Sequence, residues 1–122
     1  MYGYLNVSEL LGKTIVDIKQ VGVEELYFNT SDGDTFKMYH EQDCCEGVYI
    51  ESVVGDLEDL IGSPLLMAEE VTERGESSEW GDTHTWTFYK FATVKGYVTI
   101  RWLGESNGYY SESVDFVKLP NA

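Results

Sequence analysis

Short runs of alternating apolar and polar residues, cut by tight-turn dipeptides, constrain this chain more than any other feature. The clearest case is "EELYFNTSDGDTFKMYH", where two β-rich runs flank Asp32-Gly33. That dipeptide tolerates the positive φ that a two-residue hairpin demands. Lys95-Gly96 separates "THTWTFYKFATV" from "GYVTIRWLGES", and Asn107-Gly108 separates the latter from "YYSESVDFVKL", which predicts three further strands joined by hairpins. "KTIVDIKQVG" places Ile15, Asp17 and Lys19 opposite Val16 and Ile18, and "PLLMAEEVTER" reads as a strand with an apolar start and a charged end. "VYIESVV" reads as a strand or as the lead into a helix at about 56–61, stopped by Gly62 and Pro64. In "NVSELLGK", Asn6 or Ser8 can cap a short helix over 7–11, with Glu9 in its first turn and Gly12 at its end.

Turn signals at intervals of about 8–12 residues are the spacing of sandwiches and small barrels. The expectation is mainly β: a single-domain (1–122) small antiparallel sandwich or partly open barrel of about seven strands, with one or two short helices. Hydrophobic residues make up 43% of the 122, enough for one core, and no apolar run approaches the ~20 residues that a bilayer-spanning helix needs. "MYGYLNVSELLGK" lacks the basic flank and apolar stretch of a secretory leader. No membrane association is expected, and the expected location is the cytoplasm of the cell that makes the protein.

Charge narrows the partners. Twenty-two acids oppose eight bases for a net charge of -14. Between Glu41 and Asp82 thirteen acids meet one base, Arg74, so that segment holds twelve of the fourteen excess negatives. Such a field disfavours direct nucleic-acid binding, which depends on Lys and Arg neutralising phosphates. It keeps a small protein dispersed, and it favours basic partners or surfaces that themselves bind DNA or RNA.

Within the acidic segment "YHEQDCCE" gathers residue types that enzymes use: His40, Glu41, Asp43, Cys44 and Cys45. Their spacing argues against a metal. Zinc takes about four ligands with chelating cysteines set two or more residues apart, and adjacent side chains on an extended chain diverge. A catalytic thiol needs basic neighbours to lower its pKa, and this segment is acidic. A disulfide between neighbours closes a small ring that restrains little chain, so a reduced pair is expected, one thiol packed in the core and the acids facing outward.

A second candidate lies near the C-terminus. In "GYVTIRW", Val98, Ile100 and Trp102 share one face, and Tyr97, Thr99 and Arg101 the other. In "YYSESVDF", Tyr110, Val114 and Phe116 oppose Tyr109, Ser111, Ser113 and Asp115. Thr99, Arg101, Tyr109 and Ser111 are thereby predicted to form one polar, aromatic surface with a single arginine, suited to a small anion or nucleotide. The competing reading is an arginine packed on tyrosines by cation–π contact. In "THTWTFYKF", His84, Trp86 and Phe88 oppose Tyr89 and Phe91, so this strand is central or has one face covered by another subunit; Trp80 and Trp102 lie near it in sequence. No phosphate loop, nucleophile elbow, HExxH or spaced cysteine pair is present, so no enzyme activity and no cofactor are expected.

The blocks "MYHEQDCCEGVYIESVVGDLEDLIGSP", "TWTFYKFATVKGYVTIRW" and "SNGYYSESVDF" resemble a family of small phage and prophage proteins, over roughly Gly12 to Phe116. That type of protein is similar in turn to the Thoeris anti-defence sponges, β-rich phage proteins that oligomerise and sequester cyclic ADP-ribose signals. The resemblance implies equilibrium capture of a cyclic nucleotide-type ligand by a homo-oligomer. Its base would stack on Trp86, Phe88 or Tyr109, Arg101 would take phosphate, and Asn107 and Ser111 would bond ribose hydroxyls, beside Thr99. Two alternatives stand beside it. The segment from Glu41 to Asp82 would imitate DNA phosphates and block a basic host nuclease or regulator, or the protein would be an accessory phage component with no ligand.

Overall fold

The computed structural model describes residues 4–76 and 82–120. Among these, eight strands form two antiparallel sheets: β1 (Ile15–Val21), β2 (Glu25–Thr30), β3 (Thr35–Tyr39), β4 (Gly47–Val54), β5 (Met67–Glu76), β6 (Thr83–Thr93), β7 (Gly96–Ser106) and β8 (Asp115–Lys118). Sheet one runs β1-β2-β3-β8 and sheet two β4-β7-β6-β5, and neither closes into a barrel. The two helix signals become single 3-10 turns, Val7–Leu10 and Leu57–Leu60, capped by Asn6 and Asp56 side chains. Each is only four residues long, too short to carry α-helical propagation.

Alternation along the strands builds the core. Leu26, Phe28, Phe36, Met38 and Phe116 from sheet one meet Tyr89, Phe91, Val98, Ile100 and Trp102 from sheet two. Phe28 and Phe91 rings lie 5.7 Å apart across the gap, and the Trp102 indole N–H donates to the Met38 sulfur at 3.3 Å. Burying each large side chain stabilises the fold by roughly 1.5–3 kcal/mol. The predicted hairpins at Asp32-Gly33 and Lys95-Gly96 are present, joining β2 to β3 and β6 to β7. β6 is central in its sheet, as its two apolar faces require. Trp80 lies outside the described residues.

Two expectations are corrected. In β1 a register shift between Ile15 and Asp17 resets the alternation, so Val16 is half exposed while Ile15 is buried and Ile18 packs against the core. A bulge inserts one residue and flips the later side chains to the other face. At the other end Asn107-Gly108 is not a hairpin. The chain leaves sheet two at Ser106, crosses the sandwich, and enters sheet one as β8 beside β3. The dipeptide supplies the left-handed residue, Gly108 at φ 92°, but no strand begins until Asp115.

The crossover packs closely on β7. A Cβ at Gly104 would lie 2.6 Å from the Glu112 carbonyl oxygen and 2.7 Å from its Cβ. Gly104→Ala is therefore expected to destabilise the protein by about 1–3 kcal/mol, since the backbone must shift to admit the methyl. Urea unfolding measures this, and an unchanged midpoint contradicts the packing.

Candidate functional site

Strand parity divides the seven sequence-predicted ligand residues into two groups. Trp86 and Phe88 on β6 and Thr99 and Arg101 on β7 share the outer face of sheet two, with Phe88 opposite Arg101 and Lys90 opposite Thr99. The Arg101 guanidinium lies 4.9 Å from the Trp86 ring centre. Its Nε donates to Glu51 at 2.6 Å, and Nη2 reaches the same carboxylate. The cation–π contact expected with tyrosines is made with a tryptophan instead, and the charge of Arg101 is already opposed by an acid. As a receptor for phosphate it would first have to release Glu51.

Asn107, Tyr109 and Ser111 do not join that group, because the segment carrying them never pairs with β7. Asn107 accepts the Tyr109 N–H at 3.1 Å, closing the turn, and Tyr109 is 88% exposed. Ser111 bonds the Ser113 hydroxyl at 2.7 Å. Ser111 faces Thr85 and Thr87, which point to the opposite side of β6 from Trp86 and Phe88. The surface predicted to unite Thr99, Arg101, Tyr109 and Ser111 is therefore divided between two sides of sheet two.

What the crossover builds instead is a cleft at the open end of the sandwich. Its floor is the inner face of the β5–β6 ladder, where Thr72 pairs with Thr87, Arg74 with Thr85 and Glu70 with Tyr89. Its wall is residues 110–114, and the enclosed volume is about 230 Å³. Glu112 anchors the wall: it is buried and accepts hydrogen bonds from Thr85 at 2.8 Å and from the Thr83 and Ser106 hydroxyls. Burial pushes this carboxyl up, but the three hydroxyls and the charge of Arg74 together hold it below its ordinary value. Among the described residues Arg74 makes no ion pair or hydrogen bond, in contrast to Arg101. Further along the same face the Tyr89 hydroxyl is buried without a hydrogen-bond partner, and burial, with Glu70 nearby, raises its pKa strongly.

Sequence reasoning missed Arg74, Thr72, Thr87 and Glu112 as a group. Gly104 was the available signal, since glycine inside a strand often marks a close backbone approach.

"YHEQDCCE" forms a latch beside the cleft. His40 donates through Nδ1 to the Ser113 carbonyl at 2.6 Å and meets the Glu46 carboxylate through Nε2 at 2.7 Å. The same carboxylate accepts the backbone N–H groups of Asp43 and Cys44, each at 2.9 Å. Glu46 is buried, not turned outward as expected, because this shell of donors replaces its water. Cys44 and Cys45 are also reversed: they are joined by a disulfide and both are exposed, carried outside by the turn that Glu46 closes. A second cavity, about 520 Å³, opens beside His40, Gln42, Glu46 and Tyr49. Both nitrogens of His40 are thus engaged, one by a carbonyl on the crossover and one by the buried carboxylate.

The latch has an acid-limb signature. His40 foremost, then the Cys44 and Asp43 N–H groups, draw the Glu46 carboxyl down to about 2 against the effect of burial. A carboxyl depressed by folding stabilises fully above its unfolded value of 4.5, and that contribution is lost as pH falls toward about 2. Asp32, held to about 2 by Lys13, contributes in the same window. Urea midpoints followed downward in pH should fall through this range, and Glu46→Gln should flatten the acid limb in part, leaving the Asp32 share. An identical slope in the variant contradicts the latch.

Among the described residues no helix is long and apolar enough to cross a membrane, and no cluster of three or more His, Cys, Asp or Glu could hold a metal ion. The model of a domain of unknown function, DUF7448, matches residues 8–116, and the chain belongs to that family. No curated protein and no solved structure matches it.

Proposed function

We propose that this DUF7448 member is a non-enzymatic binding protein of phage type that captures and sequesters a cyclic ADP-ribose-type nucleotide, with the cleft between the β5–β6 ladder and the 110–114 wall as the binding site. The observation that carries this reading is Arg74: a cation with no ion pair among the described residues, at a cleft lined by the hydroxyls of Thr72, Thr85, Thr87, Ser111 and Ser113. Arg supplies paired donors to phosphate, hydroxyls suit ribose, and the Tyr110 ring at the wall offers a stacking face. A volume of about 230 Å³ is below the range typical of drug-sized pockets, so it admits one ribose-phosphate unit and leaves the rest of the ligand over the mouth. This moves the phosphate role from Arg101 to Arg74 and keeps Ser111 as a ribose contact.

Capture needs no bond-making group, which agrees with a histidine whose two nitrogens are occupied by Ser113 and Glu46. The outer face of sheet two, with Trp86, Phe88 and half-exposed Tyr97, is the surface on which a homo-oligomer would form. Such a protein would act in the host cytoplasm, where the signal is made. The DNA-mimic reading draws less support. Glu69, Glu70, Glu73 and Glu76 are exposed along β5 but alternate between its two faces. That is how an edge strand is guarded against pairing with another chain.

Calorimetry against cyclic ADP-ribose isomers, with ribose 5-phosphate as a fragment probe, tests the proposal. Wild-type protein should release heat with at least one isomer. Arg74→Ala should weaken binding about tenfold or more, the usual scale for losing a charge-assisted hydrogen bond. Thr87→Val should weaken it to a smaller degree, and Arg101→Ala should bind as wild type. Loss in Arg101→Ala alone moves the site to the outer face, and no heat with any nucleotide ends the reading.

A further inference from the structure

A continuous chain of hydrogen bonds joins the exposed cysteine pair to the wall of the cleft. The turn carrying Cys44 and Cys45 presents the Asp43 and Cys44 N–H groups to Glu46, and Gln42 closes it from the side by donating to the Cys44 and Glu46 carbonyls at 3.1 and 2.6 Å. Glu46 holds His40, and His40 holds the carbonyl of Ser113. Alongside, the Glu41 N–H donates to the Asp115 carboxylate at 2.9 Å. Ser113 is a wall residue. Residues 109–114 belong to no strand ladder, so their backbone order depends on such side-chain contacts.

We propose that Cys44–Cys45 is a thiol–disulfide exchange site whose state sets the order of the cleft wall. In the disulfide form the small ring fixes the backbone between the two cysteines and with it the aim of the N–H groups at Glu46. A dithiol reductant attacks one exposed sulfur as thiolate and forms a mixed disulfide, which its second thiol resolves. Two electrons and two protons pass to the pair, leaving two cysteine thiols here and a disulfide on the reductant. The freed turn recovers conformational entropy, the Glu46 shell loosens, and His40 loses the partner that aims it at Ser113. The proposal concerns the wall itself, so its failure leaves ligand capture standing.

Hydrogen–deuterium exchange read by mass spectrometry, on the full chain without ligand, tests it. Reduction by dithiothreitol should speed exchange at 41–46 and, on the order of tenfold, at 111–115, the scale of losing about one charge-assisted hydrogen bond. Protection of β6 and β7 should not change, which shows that the fold persists. The double variant Cys44→Ser, Cys45→Ser should resemble the reduced form with or without reductant. His40→Gln should leave 41–46 responsive to reductant and 111–115 fast in both states. If reductant changes 41–46 but not 111–115, the coupling is wrong. If alkylation of the unreduced, unfolded protein labels both thiols even after incubation with glutathione disulfide, the pair is not an exchange site.

Discussion

The Glu112 carboxylate takes hydrogen bonds from Thr83 and Thr85 on β6 and from Ser106 at the end of β7, and almost no water reaches it. An unpaired buried carboxylate would cost several kcal/mol, so its position is as good as its three donors. From that anchor the crossover must run over Gly104, which has no side chain to obstruct it. The segment then reaches sheet one as β8, where Phe116 enters the core against Phe28 and Phe36. One polar contact thus fixes a packing edge, a sheet connection and the wall of the cleft.

His40 and Glu46 repeat the arrangement from the opposite side. The crossover from β3 to β4 and the crossover from β7 to β8 both leave one sheet for the other, and the His40–Ser113 bond ties them together. Two buried acids therefore do structural duty in a chain whose net charge is -14. The remaining acids on β5 guard an edge strand. These six of the twenty-two acids thus have places in the fold that follow from burial or from the edge of a sheet.

Local features of the sequence were legible because local chemistry determines them. The Asp32-Gly33 and Lys95-Gly96 turns, the alternation of "GYVTIRW" and the Asn6 cap all act within a few residues. The mainly-β class followed from them, but they fit a sandwich and a partly open barrel alike, and only the order of the two sheets decides between these. Long-range placement was not legible. Asn107-Gly108 looks like a hairpin to any reading that cannot see that Phe116 is needed in the other sheet. One thiol of Cys44 and Cys45 looked core-bound because nothing local reveals that Glu46, two and one residues on, takes the buried place. The ligand residues suffered most, since Trp86 and Thr85 are neighbours in sequence and lie on opposite sides of a sheet. Thr99 and Arg101 were read onto one face of their strand, but the sequence gives no sign of Trp86 beneath the guanidinium or of Glu51, fifty residues away, occupying it.

Glu112 is the anchor on which the crossover depends, and a double-mutant cycle between Thr85→Val and Glu112→Gln measures that anchor directly. Stabilities of wild type, both single variants and the double variant, taken by urea unfolding, give the coupling. Contacting partners in one buried network are expected to couple by about 1–3 kcal/mol. Additivity to within about 0.5 kcal/mol would mean that Glu112 does not hold the wall to β6, and the cleft as described would not exist in solution.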